Sequence, residues 1–200
     1  MVRLAVLLLA ACSAFAQGTW TPLFDGKSLS GWRAAAFKSQ PALKVEAGAI
    51  LIEAGAPLSG AVRPDFKLKA DYEIRWEAMR KSGGDFFSSL TFPVEDSFVT
   101  FVTGGWGGDI TGISSIDGWD ASDNETRNYF TFETGKWYSF RIQVTAAKLQ
   151  AWIGDQSVVD VNITGRTLSL RPGDTKLTTP FGFMTYNTTG AIRKVEVRTL

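Results

Sequence analysis

Four carboxylates, Asp117, Asp120, Asp123 and Glu125, fall within nine residues of one another. Two carboxyl groups suffice to hydrolyse a glycosidic bond, one protonated as the acid and one ionised as base or nucleophile. Asp117, Asp120 and Glu125 are therefore candidate catalytic groups. Asp120 and Asp123 are also candidate ligands for calcium, which takes six to eight oxygens, although the spacing is not that of an EF-hand. A third reading is a solvated loop in which Asp, Asn and Ser cap turns.

The surrounding residues suit a sugar. Gly104-Gly-Trp-Gly-Gly108 precedes the cluster and Trp119 lies inside it. Trp106 and Trp119 sit beside Gly and Asp rather than in alternating apolar runs, which predicts flat exposed rings able to stack on sugar C–H faces. Glycine lets a backbone approach a ligand closely, so Asp85, directly after Gly83-Gly84, is a candidate contact or a turn residue. Glu73, Arg75 and Glu77 alternate along one strand-like run. On the inner surface of a groove, Glu77 could act as acid or base while Glu73 and Arg75 hold hydroxyl or keto oxygens. On a wet surface the same three residues form a cross-strand charge ladder. Arg127 is a candidate source of positive charge near the site.

Composition narrows the chemistry. The 200 residues contain no histidine, which removes histidine-based triads, histidine-bearing zinc sites and histidine general bases. With 21 basic and 20 acidic side chains the formal charge is +1, and no basic run marks a nucleic-acid partner. No cofactor is required by the sequence; calcium is the one candidate. The single cysteine, Cys12, lies in the leader.

That leader reads in two ways. Residues 1–16 carry Arg3, an apolar run over Leu4–Ala11 too short to span a bilayer, and Ala14-Phe15-Ala16, which matches a small-x-small cleavage site. Leu9-Ala10-Ala11-Cys12 also resembles a bacterial lipobox, with cleavage before Cys12 and lipidation of its thiol. Either reading predicts export to the periplasm, the exterior or a lipid anchor at the cell envelope. The anchor would be the only membrane contact.

The elements that must position these residues are strands. Short apolar runs with period-two alternation recur between Gly, Pro, Asp and Asn. They predict strands at 43–45, 49–53, 72–79, 86–92, 98–102, 110–115, 129–132, 137–145, 148–153, 156–161, 167–169, 181–185 and 191–199. Helical periodicity is missing, so an all-β antiparallel sandwich or barrel follows. In the run from Tyr72, residues Tyr72, Ile74, Trp76 and Ala78 take one face and Glu73, Arg75 and Glu77 the other. Ile192, Val195 and Val197 imply a bulge near Arg193. Ile153-Gly-Asp-Gln156 reads as a hairpin turn.

Several motifs, in order, carry a resemblance. Leu23-Phe-Asp-Gly-Lys-Ser-Leu-Ser-Gly-Trp32 opens the series. Leu43-Lys-Val-Glu-Ala-Gly-Ala-Ile-Leu51, Asp71-Tyr-Glu-Ile-Arg-Trp-Glu77 and Gly83-Gly-Asp85 follow. Gly135-Lys-Trp-Tyr-Ser-Phe-Arg-Ile142, Leu149-Gln-Ala-Trp-Ile-Gly-Asp155, Phe181-Gly-Phe-Met184 and Arg193-Lys-Val-Glu-Val197 complete it. Over residues 19–200 the chain resembles the 3-keto-disaccharide hydrolase domain family. The resemblance implies a single concanavalin-A-like jelly roll acting on glycosidic bonds of sugars oxidised at C3. A C3 ketone acidifies its neighbouring C–H, so elimination and rehydration need only one general base and an electrophile for the carbonyl oxygen. The expected partner is an oligosaccharide or 3-keto-glycoside, with a non-catalytic lectin-like module as the alternative. The expected site lies on a concave sheet beneath the 104–127 loop.

Overall fold

The structure, a computed structural model, describes residues 18–200. The leader readings, including Cys12 lipidation, lie outside the described residues. Fifteen strands follow in chain order: β1 (Thr21–Pro22), β2 (Arg33–Ala34), β3 (Lys44–Glu46), β4 (Ala49–Ile52), β5 (Leu58–Val62), β6 (Tyr72–Ser82), β7 (Ser89–Val94), β8 (Ser97–Gly105), β9 (Ile110–Ser114), β10 (Asn128–Tyr129), β11 (Trp137–Val144), β12 (Lys148–Ile153), β13 (Gln156–Asn162), β14 (Gly182–Tyr186) and β15 (Thr189–Thr199). A short 3-10 turn at Asp174–Thr178 is the only helical element among the described residues.

The strands form two antiparallel sheets. One runs β13-β12-β11-β6-β15-β4-β3, with β1 on β15; the other runs β10-β9-β8-β7-β14-β5-β2. The all-β sandwich expected from periodicity is therefore the fold. Alternation assigns the inner faces as expected. Tyr72, Ile74, Trp76 and Ala78 join the core, where they meet Leu90, Phe92, Val99, Phe101 and Phe183 of the opposite sheet. Trp76 stacks on Phe140 at 5.1 Å and meets Phe101 edge-on at 6.3 Å. Aromatic burial on this scale dominates the energetics of a core. The bulge near Arg193 is present as a register shift between Arg193 and Glu196, and β12 and β13 pair as the expected hairpin.

Two differences have physical causes. Strand β5 has no counterpart in the sequence expectation because Leu58-Ser-Gly-Ala-Val offers no bulky alternation. Gly60 is required there, since a Cβ would meet the Phe183 carbonyl oxygen at 2.6 Å. The expected strand at 167–169 reduces to one bridge, Leu168 with Ile116, because the segment it pairs with turns back at Asp117 and Gly118, both at positive φ.

Candidate functional site

The outer face of the seven-stranded sheet carries a groove of about 410 Å³, within the size range of small-molecule sites. Its floor comes from alternate residues of three central strands: Ser89 of β7, Thr100 and Val102 of β8, and Ser114 of β9. Their neighbours Leu90, Phe101 and Ile113 point the other way, into the core. Thr100 lies opposite Ser114 and Thr91 in the strand register, so hydroxyls form a row across the sheet. Leu58, Phe86, Met184 and Tyr186 make the apolar wall, and Arg171-Pro172 with Asp174-Thr175 forms the other rim.

Asp85 stands at the groove end. Its Oδ1 accepts the Phe86 backbone N–H at 2.8 Å and its Oδ2 accepts the Gly107 N–H at 3.0 Å. Its own N–H donates to Thr188 Oγ1 at 3.1 Å. Each carboxylate oxygen thus has one donor and lone pairs to spare. The Gly107 bond places the glycine-rich loop. Gly108 packs so close to Gly84 that a Cβ would meet the Gly84 carbonyl oxygen at 2.7 Å. Trp106 takes φ of +50°, a conformation bulky residues rarely adopt, and its ring stays 41% exposed along the groove. Arg171 lies over that ring at 5.5 Å. Its Nη1 approaches Asp120 Oδ2 at 3.4 Å, while Asp120 Oδ1 accepts the Ser115 hydroxyl at 3.0 Å. Asp120 therefore stands behind Arg171, one side chain removed from the groove.

The rest of the acidic cluster is tied elsewhere. Asp117 and Glu125 both grip Arg166, at 2.5 and 2.6 Å. The Thr167 N–H and then Arg166 hold the Asp117 carboxyl below its usual range, and Arg166 does the same for Glu125. Both are anions fixed in a loop clamp, neither lines the groove, and a carboxyl held ionised is a poor proton donor. Asp123 accepts the Ser122 hydroxyl at 2.6 Å. Among the described residues no three His, Cys, Asp or Glu side chains gather to hold a metal ion, and Asp120 and Asp123 point at Ser115 and Ser122 rather than at one point. Arg127 donates to the Ser122 carbonyl at 3.0 Å and is otherwise exposed. Trp119 is 63% exposed and outside the groove lining.

Glu73, Arg75 and Glu77 do share a face, as alternation requires, but it is the outer face of the eight-stranded sheet. Glu73 and Glu77, expected as the alternative to the 117–125 carboxylates, therefore lie across the sandwich from the groove. Glu73, 1% exposed, is sealed between Arg141 (2.6 Å) and Arg198. Arg75 pairs with Glu196 at 2.6 Å and lies over the Trp20 ring at 4.1 Å. Burial pushes the Glu77 carboxyl up, but Lys194 and Arg193 outweigh it and hold the group below its usual range. A smaller hollow of about 310 Å³ opens between Arg75, Glu77, Ser139, Lys194 and Glu196. Each carboxylate in it already sits against a cation, which leaves no free base.

Ser89, Thr100, Ser114, Arg171, Asp174 and Tyr186 were not singled out by motif. Their signal is weak but physical: hydroxyl residues alternating with large apolar ones in Ser89-Leu-Thr-Phe92 and Val99-Thr-Phe101 mark a sheet with an apolar inner face and a polar, covered outer one.

Residues 19–198 match the model of the 3-keto-α-glucoside-1,2-lyase-like domain. The chain belongs to this family. The lyase-like domain also resembles solved structures at the level of fold. One is a protein assigned as a glycosyl hydrolase from Parabacteroides distasonis (13% identity, TM-score 0.57, covering 90% of this chain and 94% of that one). Another is the carbohydrate-binding module CBM66 from Bacillus subtilis (14% identity, TM-score 0.56, 84% and 96%). A third is domain 4 of an extracellular arabinanase from Geobacillus stearothermophilus, solved with arabinotriose (14% identity, TM-score 0.53, 94% and 85%). No curated protein gives a sequence match to this chain.

Proposed function

We propose that the groove binds a glycoside oxidised at C3 and cleaves its glycosidic bond by elimination, with water adding back to complete hydrolysis. The observation that carries this reading is the convergence of Asp85, Trp106 and Arg171 at one groove. A carboxylate base, a stacking ring and a nearby cation are a set that suits a keto-activated elimination. Asp85, which keeps free lone pairs beside its two backbone donors, takes the acidified C2 proton. The C1–O bond breaks as C1=C2 forms, and the departing oxygen receives a proton from the protonated Asp85 or from water. Arg171, placed by Asp120 and the Trp106 ring, offers N–H donors to the charge that develops on that oxygen. Trp106 carries the apolar face of the sugar. Export, read from the leader, would put this activity in the periplasm, outside the cell or at a lipid anchor on Cys12.

A binding-only module is the second reading, favoured by the exposure of Asp174 and of Trp106 at the groove rim, where water is not excluded. One experiment separates the two. Purified protein is incubated with 3-keto-glucosides, with and without chelator, and products are followed by mass spectrometry. Free aglycone together with an unsaturated or rehydrated keto sugar supports catalysis. Measurable binding with intact substrate in every arm supports the module and removes the enzyme.

A further inference from the structure

Along β6 the inward positions read Tyr72, Ile74, Trp76, Ala78 and then Arg80. The first four join the core. The fifth puts a guanidinium at the end of the sandwich, 6% exposed, where the pattern calls for an apolar side chain. Its Nη2 donates to the Phe132 carbonyl at 2.9 Å, and the group lies 5.5 Å from the centre of the Phe87 ring. Its Nε is buried with no hydrogen-bond partner. Among the described residues no carboxylate forms an ion pair with it. Burial pulls its pKa below the ordinary arginine value, and Asp109, with Asp85 behind it, offsets that only in part.

A buried cation without a salt bridge costs stability, and an apolar side chain of similar volume would remove that cost. A core position that breaks its local pattern in this way is expected where something besides stability is served. The contacts of Arg80 lead to the glycine-rich loop. Gly108, at φ of +120°, rests against it: a Cβ there would meet Arg80 Nη1 at 3.2 Å and the Gly84 carbonyl oxygen at 2.7 Å. Phe132, whose carbonyl takes Nη2, supports the other end of the loop, since a Cβ on Gly104 would meet its ring at 3.1 Å. One planar fork thus spans both supports, which a single ammonium cannot do. Between the two supports, Gly107 reaches Asp85 and Trp106 lines the groove.

We infer that Arg80 is a positioning residue whose guanidinium seats the 104–108 loop, so that the Gly107 N–H meets Asp85 and Trp106 faces the groove. Arg80 does not line the groove itself and acts through the loop. Its consequence for turnover rests on the reading of the groove as a keto-glycoside site; the seating of the loop does not.

Arg80→Met is the test, read by amide hydrogen exchange, thermal scans and turnover of 3-keto-glucosides. Exchange at Gly107 should rise at least about tenfold while the amides of β6 and β11 stay protected. Tm should move by no more than about 4 °C, because the removed burial cost offsets the lost hydrogen bond to Phe132. The ratio kcat/KM per folded molecule should fall about 10- to 100-fold. Arg80→Lys keeps the charge but cannot span Gly108 and Phe132 together. It should free Gly107 in the same way and stands in if Arg80→Met does not fold. The double variant Arg80→Met/Asp85→Ala separates positioning from ordinary packing. If Arg80 acts through the Gly107–Asp85 hydrogen bond, Gly107 exchange in the double variant should match that of Asp85→Ala alone within about threefold. A full second increment would show that the two residues act independently and overturns the proposal. Gly107 protection unchanged in both single variants, or lost equally throughout the core, overturns it too. Wild-type protein inert toward every keto-glucoside, with Gly107 responding as stated, overturns the groove reading and leaves the seating of the loop standing.

Discussion

The Gly107 backbone N–H donates to Asp85 Oδ2 at 3.0 Å, so one carboxylate both faces the groove and fixes the loop that carries Trp106. The two roles separate by substitution. Asp85→Asn keeps a carbonyl acceptor for the loop but loses the base, so kcat should fall about 10²- to 10⁴-fold with KM little changed. Asp85→Ala loses both, so KM should rise as well and Trp106 fluorescence should shift. Equal kinetics for the two variants would detach the loop from the chemistry, and an unchanged kcat in Asp85→Asn would exclude Asp85 as the base.

Trp106 lines the groove and Trp119 does not, although both rings are exposed. Removing a stacking ring costs about 0.5–1.5 kcal/mol beyond area, so Trp106→Ala should weaken sugar binding about 2- to 12-fold. Trp119→Ala should leave the dissociation constant within error. Titration of both variants with the same keto sugar decides the point, and a larger loss in Trp119→Ala would move the site onto the 117–125 loop.

Glu73 answers to stability rather than to turnover. Its carboxylate is 1% exposed between Arg198 and Arg141, which are 19% and 39% exposed. Breaking a buried pair leaves charge without a partner, but both arginines can turn partly to water, which puts the cost of Glu73→Gln near the low end, about 3 kcal/mol. For a chain of this size that lowers Tm by about 6–12 °C. Activity per folded molecule should be unchanged, because the residue lies across the sandwich from the groove. Thermal scans and active-site titration on one preparation would show a Glu73 role in chemistry as a kcat loss out of proportion to unfolding.

The fold was legible where side chains alternate strongly. Tyr72 to Ala78 assign their own face because four apolar residues at period two cannot all be buried any other way. Strand β5 was illegible because Gly60 is selected by the Phe183 backbone pressed against it, a contact between distant segments. The same limit applies to the site. The acidic residues at 117–125 read as a cluster with chemistry to do, yet Arg166, some forty residues on, takes two of them. Alternation showed that Glu73, Arg75 and Glu77 share a face but carried no information about which sheet holds the groove. Asp85 could be named because its two preceding glycines signal close approach, whereas Ser89, Thr100 and Ser114 look like ordinary strand hydroxyls until the sheet is assembled.

The Arg166 clamp should titrate. Asp117 is held below its ordinary range by the Thr167 N–H and Arg166, and Glu125 by Arg166. A carboxyl whose folded pKa lies below its unfolded value stabilises the fold above the unfolded value, about 3.9 for Asp and 4.3 for Glu, and loses that contribution as pH falls through the folded pKa. The loop is therefore anchored throughout the neutral range and should loosen only below about pH 4. The Thr167 amide, which donates to Asp117 Oδ1 at 2.7 Å, is the natural NMR probe. Its shift should titrate with a midpoint under about 3.9, while Arg166→Met should move that midpoint upward and redden Trp119 emission at neutral pH. Both carboxylates are partly exposed, at 41% and 47%, so global stability should change little and the effect should stay within residues 115–127 and the Arg166–Thr167 segment that clamps them. A Thr167 midpoint at or above the ordinary Asp value, unmoved by Arg166→Met, would show that the clamp does not hold this loop in solution.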